Sequence, residues 1–123
     1  MRLLLDSHAF LWFLLNSPRL STRAHEAIVD ADEVWLSHVS VWELIIKHAV
    51  GRLVLEDEPH VMAARAGMQL LPIGLGHIRL TATLQRHHGD PFDRLLVAQA
   101  LDEGLVLVTA DGMMQRYPVA WLW

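Results

Sequence analysis

His87-His88-Gly89-Asp90-Pro91-Phe92-Asp93-Arg94-Leu95-Leu96-Val97-Ala98-Gln99-Ala100 is the stretch around which the rest of the chain makes sense. Asp90 followed by Pro91 reads as a helix N-cap with proline at the first helical position, where a missing N–H costs nothing and the fixed φ suits the helix. Asp93 then falls at the third helical position. A carboxylate there is stabilised by free backbone N–H groups and the positive end of the helix dipole, by about 0.3 to 1 kcal/mol at an exposed site. Capping alone therefore accounts for both aspartates taken singly. Three further acids in comparable places change that reading.

Working outward, the helix ends near Gly104, and Leu105-Val106-Leu107-Val108-Thr109 is the clearest strand, a continuous apolar run of the kind buried on both faces. Asp111 begins a short turn or helix beyond it, and Val119 to Trp121 reads as a last edge strand. At the other end Arg2-Leu3-Leu4-Leu5 is a buried strand closed by Asp6. Ser7 to Leu15 is then a helix, apolar on nearly every side, that stops at Asn16-Ser17-Pro18. One sheet cannot bury all those faces, so part of this helix is expected to be covered by a second chain. Ser21 caps a helix through about Val29 with Ala24, Ala27 and Ile28 inward. Val34-Trp35-Leu36-Ser37 is a strand. Ser40-Val41-Trp42-Glu43 matches the capping-box pattern ahead of a helix that runs to Val50 and is stopped by Gly51. Gly51 to Leu55 reads as a turn with a short extended segment, and Pro59 to Met68 as an amphipathic helix. Leu70 to Ile73 is an edge strand by virtue of Pro72, and His77 to Leu84 a further helix. The alternation of strand and helix predicts an α/β fold with a parallel sheet of four to five strands between layers of helices, in a single domain spanning 1–123.

Composition narrows the class. The chain has 123 residues, enough for a sizeable core, and no cysteine, which excludes disulfides and thiolate zinc sites. Asp6 and His8 interrupt the first apolar run, and Ala9 to Leu15 is too short to span a bilayer, so the expectation is a soluble cytoplasmic protein with no membrane partner. Net charge is −4, from 14 acids and 10 bases, whereas nucleic-acid binders are usually basic. Without the four acids discussed next, acids and bases balance. Any phosphate-binding surface is then a local arrangement of arginines, not a global field.

In an open parallel sheet the carboxyl ends of the strands and the amino ends of the following helices share one edge, where ligands bind. Asp6 ends the first strand, Glu43 opens the helix after the second, Asp93 opens the late helix, and Asp111 follows the clearest strand by two residues. Each could be a cap or turn residue: Asp6 for the first helix, Glu43 with Ser40, Asp93 with Asp90, and Asp111 with Thr109. Gathering them costs more than capping returns. Like charges about 5 Å apart repel by roughly 3 kcal/mol per pair at an effective dielectric near 20, against about 1 kcal/mol for a cap. A divalent cation resolves the conflict, and an oxygen-only donor set favours Mg²⁺ or Mn²⁺. The reaction class this implies is metal-dependent phosphodiester hydrolysis.

Leu4-Leu5-Asp6-Ser7-His8-Ala9, Ser40-Val41-Trp42-Glu43 with Lys47, Asp90-Pro91-Phe92-Asp93-Arg94-Leu95-Leu96-Val97-Ala98-Gln99-Ala100, and Leu107-Val108-Thr109-Ala110-Asp111 resemble, in order and spacing, the motifs of PIN-domain ribonucleases. The likeness is greatest to VapC-type toxins of bacterial toxin-antitoxin pairs, and it spans essentially the whole chain. It implies a five-stranded parallel sheet, Mg²⁺- or Mn²⁺-dependent endoribonuclease activity on RNA, a homodimer, and an antitoxin protein that blocks the site. Asp6, Glu43, Asp93 and Asp111 would be the acidic quartet, both catalytic and metal-binding. Asp6 and Asp93 would be the firmest ligands, Glu43 a ligand or water-orienter, and Asp111 a peripheral ligand; Asp90 would be the cap. Ser7 stands where that family more often has threonine. The alternative is a catalytically silent module of the same fold whose acids serve as caps or partner contacts.

Secondary candidates carry two readings each. His87 and His88, with His8, could supply a second metal site or a general base, or simply be solvated. Arg94 could hold a phosphate or form a surface ion pair. Lys47 could pair with Glu43 or approach the scissile phosphate, and Arg79 and Arg86 could rim an RNA path. Trp12, Trp42, Trp121 and Trp123 could stack bases, with core or dimer packing as the other reading.

Overall fold

A computed structural model describes residues 1–87 and 89–123; His88 lies outside them, and with it one of the histidines considered above. Among the described residues the strands are β1 (Arg2–Leu5), β2 (Glu33–Ser37), β3 (Gln69–Leu71), β4 (Val106–Val108) and β5 (Trp121–Leu122). They form one sheet in the order β3-β2-β1-β4-β5, and every pairing is parallel. The helices are α1 (Ser7–Leu14), α2 (Thr22–Asp30), α3 (His38–Ala49), α4 (Pro59–Arg65), α5 (Leu75–Thr81) and α6 (Pro91–Glu103), with a 3-10 turn at Met114–Arg116. Parallel neighbours need crossovers, and the helices supply them.

The alternation of side chains along β1 divides the core. Leu3 and Leu5 face one layer, with Phe10 of α1, Ala24 and Ile28 of α2, and Ala63 of α4. Leu4 faces the other, with Leu96, Val97 and Ala100 of α6 and with Met114 and Tyr117. All three leucines are fully buried, which is why the strand reads as an unbroken apolar run. The predicted three-layer α/β fold is thus the fold observed, with the two expected edge strands, β3 and β5, at the edges.

Several local expectations differ. Ser40 and Glu43 form no capping box. The N-cap of α3 is Ser37, whose hydroxyl accepts from the backbone N–H of Val39 at 3.0 Å, so Ser40 lies inside the first turn and Glu43 in the second. Both α4 and α5 are shorter than their sequence patterns. The chain leaves α4 through Gly67 at φ 75°, freeing Met68 to enter the core beside β3. Past α5, the hydroxyls of Thr81 and Thr83 bond back to the carbonyls of Ile78 and Leu80 and end the helical run. Part of the apolar surface of α1 is covered by the chain itself: Trp12 meets Trp123 edge-on at 5.8 Å, and Phe13 packs on His25 of α2. Leu15 stays 71% exposed.

Buried Gln99 ties the layers together. Its carbonyl accepts from the Ser37 hydroxyl, and its amide donates to the carbonyl of Pro72 at 3.1 Å. The end of β2, the segment after β3 and α6 are thereby joined at one fully buried side chain, a position where every polar atom must be satisfied. No helix among the described residues is long and apolar enough to cross a membrane.

Candidate functional site

The strand order reverses direction between β1 and β4, because the chain builds β2 and β3 on one side of β1 before crossing to the other. In open parallel sheets the carboxyl end of such a switch point is where ligands bind. Leu5 lies abreast of Val108, so the next residues, Asp6 and Thr109, leave the sheet side by side. The Asp6 N–H donates to the carbonyl of Val108 at 3.1 Å.

A cavity of about 340 Å³ opens there, lined by Asp6, Ser7, Glu43, Asp90, Asp93 and Asp111, with His8 and Lys47 at its side. All four predicted site acids therefore line one cavity, together with Asp90. The tightest group is Glu43, Asp90 and Asp93, whose carboxylates each offer an oxygen within 4.8 Å of the others. Asp6 and Asp111 line the same space outside that trio.

Asp6, Asp90, Asp111 and Glu43 each have a local anchor. Asp6 caps α1, its Oδ1 accepting from the Ala9 N–H at 2.8 Å. Asp90 caps α6, Oδ1 accepting from the N–H groups of Phe92 at 2.8 Å and Asp93 at 3.4 Å. Asp111 closes a turn by accepting from the Met113 N–H, while its own N–H donates to the Thr109 hydroxyl. That hydroxyl in turn bonds to Asp6, which links two of the acids through one threonine. Glu43 is held by Ser7, whose Oγ donates to Oε1 at 2.5 Å, and lies 3.9 Å from the Lys47 ammonium. The ion pair expected between Glu43 and Lys47 is present, although 3.9 Å is beyond hydrogen-bond reach.

Capping does not explain the concentration of charge. Burial pushes the Asp6 carboxyl above its ordinary pKa. The Thr109 hydroxyl, the Ala9 N–H and the charge of His8 oppose the shift, while Asp111 adds to it. A buried carboxylate with a second one nearby is costly at neutral pH. Among the trio, repulsion at 4.8 Å is of order 3 kcal/mol per pair at an effective dielectric near 20, several times what a cap contributes. Five carboxylates offering only oxygen fit a small, hard divalent cation.

The secondary candidates sort differently. Arg94 is engaged by its own chain: its guanidinium donates to the carbonyls of Thr81, Leu84 and Gln85 and to the Tyr117 hydroxyl, and among the described residues it makes no ion pair. His87 sets its ring edge-on to Tyr117 at 5.0 Å. Trp42, 56% exposed, packs edge-on to Phe92. From the sequence Asp90 is assigned to capping, with its contribution to the site open, and Ser7 has no role. The geometry adds Ser7 as the group orienting Glu43 and Asp90 as a member of the tight trio. The serine beside Asp6 could have signalled the first, but nothing in a capping motif signals the second.

Comparison with known proteins agrees with this geometry. The PIN domain family matches residues 3–120. Ribonuclease VapC22 of Mycobacterium tuberculosis is 31% identical over 117 residues, covering 93% of this chain and 90% of that one. The chain belongs to the PIN-domain family and, within it, to the VapC group. The PIN fold extends to solved structures at lower identity. VapBC2 from Rickettsia felis, bound to a DNA fragment from its promoter, superimposes with a TM-score of 0.72 at 13% identity, over 100% of this chain and 99% of that one. FitAcB from Neisseria gonorrhoeae gives 0.68 at 21% identity, over 98% and 96%.

Proposed function

We propose that this PIN-domain chain is a divalent-metal-dependent endoribonuclease, the toxin of a toxin-antitoxin pair, with Asp6, Glu43, Asp93 and Asp111 as its catalytic, metal-holding acids. The observation that carries the reading is the gathering of these carboxylates, with Asp90, around one cavity at the switch point of the sheet. The relative named a ribonuclease supports the substrate class. Relatives crystallised as VapBC and toxin-antitoxin complexes support an antitoxin partner. A homodimer belongs to the same reading, and the exposed side chains of Leu75 and Ile78 on α5 are the kind of surface a partner covers.

Bound there, Mg²⁺ or Mn²⁺ would activate water and neutralise charge developing on a phosphate. The chain supplies the rest. Ser7 fixes the Glu43 carboxylate, Asp90 and Pro91 set the first turn of α6 so that Asp93 faces the cavity, and Thr109 couples Asp6 to Asp111. Lys47, at the side of the cavity, is placed to offset phosphate charge.

Two linked measurements test this. Thermal melts with and without Mn²⁺ should show stabilisation by mass action, about 2.7 kcal/mol when the ion is at 100 times its dissociation constant. Asp93→Asn should blunt that shift and abolish RNA cleavage without unfolding the protein. Cleavage retained in both Asp6→Asn and Asp93→Asn would remove the proposal, and an unaltered melt in Mn²⁺ would favour a module that uses its acids only as caps.

A further inference from the structure

Beside the acid-lined cavity lies a second one of about 310 Å³, and the two share Ser7, His8 and Lys47. Its other walls are Arg52 and the apolar side chains of Leu11, Trp12, Leu15, Leu44 and Leu53. Two features distinguish it. The exposed imidazole of His8 is backed by Trp12, the rings 5.1 Å apart and within 7° of parallel, which fixes His8 as a flat platform with one ring face covered by its own chain. Trp12 is itself held from other directions by Trp123 and by the Arg19 guanidinium 5.9 Å from its ring centre. The second feature is a pair of cations at the C-terminal end of α3. The Arg52 N–H donates to the Lys47 carbonyl at 2.9 Å, setting the two residues side by side. Among the described residues the exposed Arg52 side chain makes no ion pair or hydrogen bond with the protein.

We propose that this second cavity is a nucleotide subsite for single-stranded RNA, in which a base stacks on His8 and its phosphate is held by Lys47 and Arg52. The inference rests on the nuclease reading of the adjoining cavity and names how the substrate reaches it. A polyanion approaching five carboxylates needs cations along its path. In a chain with a net charge of −4, the lysine and arginine of these joined cavities provide them locally. A preformed aromatic surface next to cations is the usual construction for binding a single strand with little sequence preference. Charge complementarity and continuity with the acid-lined cavity favour RNA over a protein segment as the occupant.

The test is a titration of a fluorescein-labelled oligouridylate, followed by anisotropy in chelator at low salt, with cleavage kinetics in Mn²⁺ run in parallel. His8→Ala should weaken binding about fivefold or more, and His8→Phe should restore it. Arg52→Ala should weaken binding and reduce the slope of log affinity against log salt by about 0.7, with Arg52→Lys intermediate. In the kinetics both alanine variants should raise KM, and in Arg52→Ala, whose residue lines only the second cavity, kcat and the Mn²⁺-induced thermal shift should stay at wild-type values. Anisotropy unchanged in both alanine variants overturns the subsite, whatever those variants do to binding of a protein partner. RNA bound and lost as expected, with no cleavage by the wild type in Mn²⁺, upholds the subsite and sinks the nuclease reading instead. Cleavage with KM unchanged in the variants does the reverse.

Discussion

Changing Asp6 to asparagine is expected to raise the melting temperature of the metal-free protein and to remove RNA cleavage in the same step. Asparagine caps a helix as well as aspartate does, so the Ala9 N–H keeps its acceptor. What disappears is a carboxylate 6% exposed and within the field of Asp111. The sign follows from linkage. The folded-state pKa of Asp6 lies above its ordinary value of 3.8 because burial penalises the charge. Between those two values the native state binds more protons than the unfolded one, so stability falls as pH rises through that window and the loss is complete above it. Above that window the wild type carries the whole cost. Asp6→Asn should therefore melt higher, by roughly 4 °C for each kcal/mol recovered, and the gap should close as the wild type is acidified. Cleavage should fall roughly a thousandfold or more, since metal-borne charge stabilisation is worth several kcal/mol. A variant that melted lower than wild type in chelator across the neutral range would contradict the cost assigned to this buried charge.

Arg94→Ala is the second large effect, and it falls on stability. Four bonds converge on this guanidinium, to the carbonyls of Thr81 at 2.8 Å, Gln85 at 2.9 Å and Leu84 at 3.3 Å and to the Tyr117 hydroxyl at 3.1 Å. Together they pin the segment after α5 and the C-terminal part of the chain to the start of α6. Bonds to a charged donor contribute about 1.5 to 3 kcal/mol, and truncation strands several carbonyls at once. A loss of roughly 2 to 4 kcal/mol is expected, read as a lower denaturation midpoint at unchanged slope. Lysine should recover little, because a point charge cannot serve a fork of acceptors. A loss below about 0.5 kcal/mol, the range of ordinary surface changes, would contradict this role.

Much of the architecture was legible because it is local. The apolar run Leu3-Leu4-Leu5 announces a strand buried on both faces, Asp90-Pro91 announces a helix start, and Gly104 in the left-handed region at φ 65° ends that helix where its position indicates. The convergence on one cavity was legible for Asp6, Asp93 and Asp111, which follow a strand or open a helix, whereas Glu43 reaches it from the second turn of α3. The misread features depend on choices that pattern cannot arbitrate. Ser40 and Glu43 have capping-box spacing, yet Ser37 stands three residues earlier and caps first. The fate of Arg94 is set by backbone carbonyls 9 to 13 residues before it and by Tyr117. Carbonyls leave no trace in a side-chain pattern. Asp90 serves as a cap and also lies within 4.8 Å of Glu43 and Asp93, and only the tertiary approach of α3 to α6 creates that second role. Lys47 and Arg52 line the two adjoining cavities, a neighbourhood that no motif in the sequence announces.

The central claim is that these carboxylates converge to hold a hard divalent cation. An anomalous-difference map from crystals soaked in Mn²⁺, under conditions where the dissolved protein cuts RNA, tests it most directly. The account predicts a peak in the acid-lined cavity at roughly 2.1 Å, the bond length of a small hard cation, from carboxylate oxygens that include Asp6 and Asp93. A map with no peak in that cavity, from protein active in the same Mn²⁺, would contradict it.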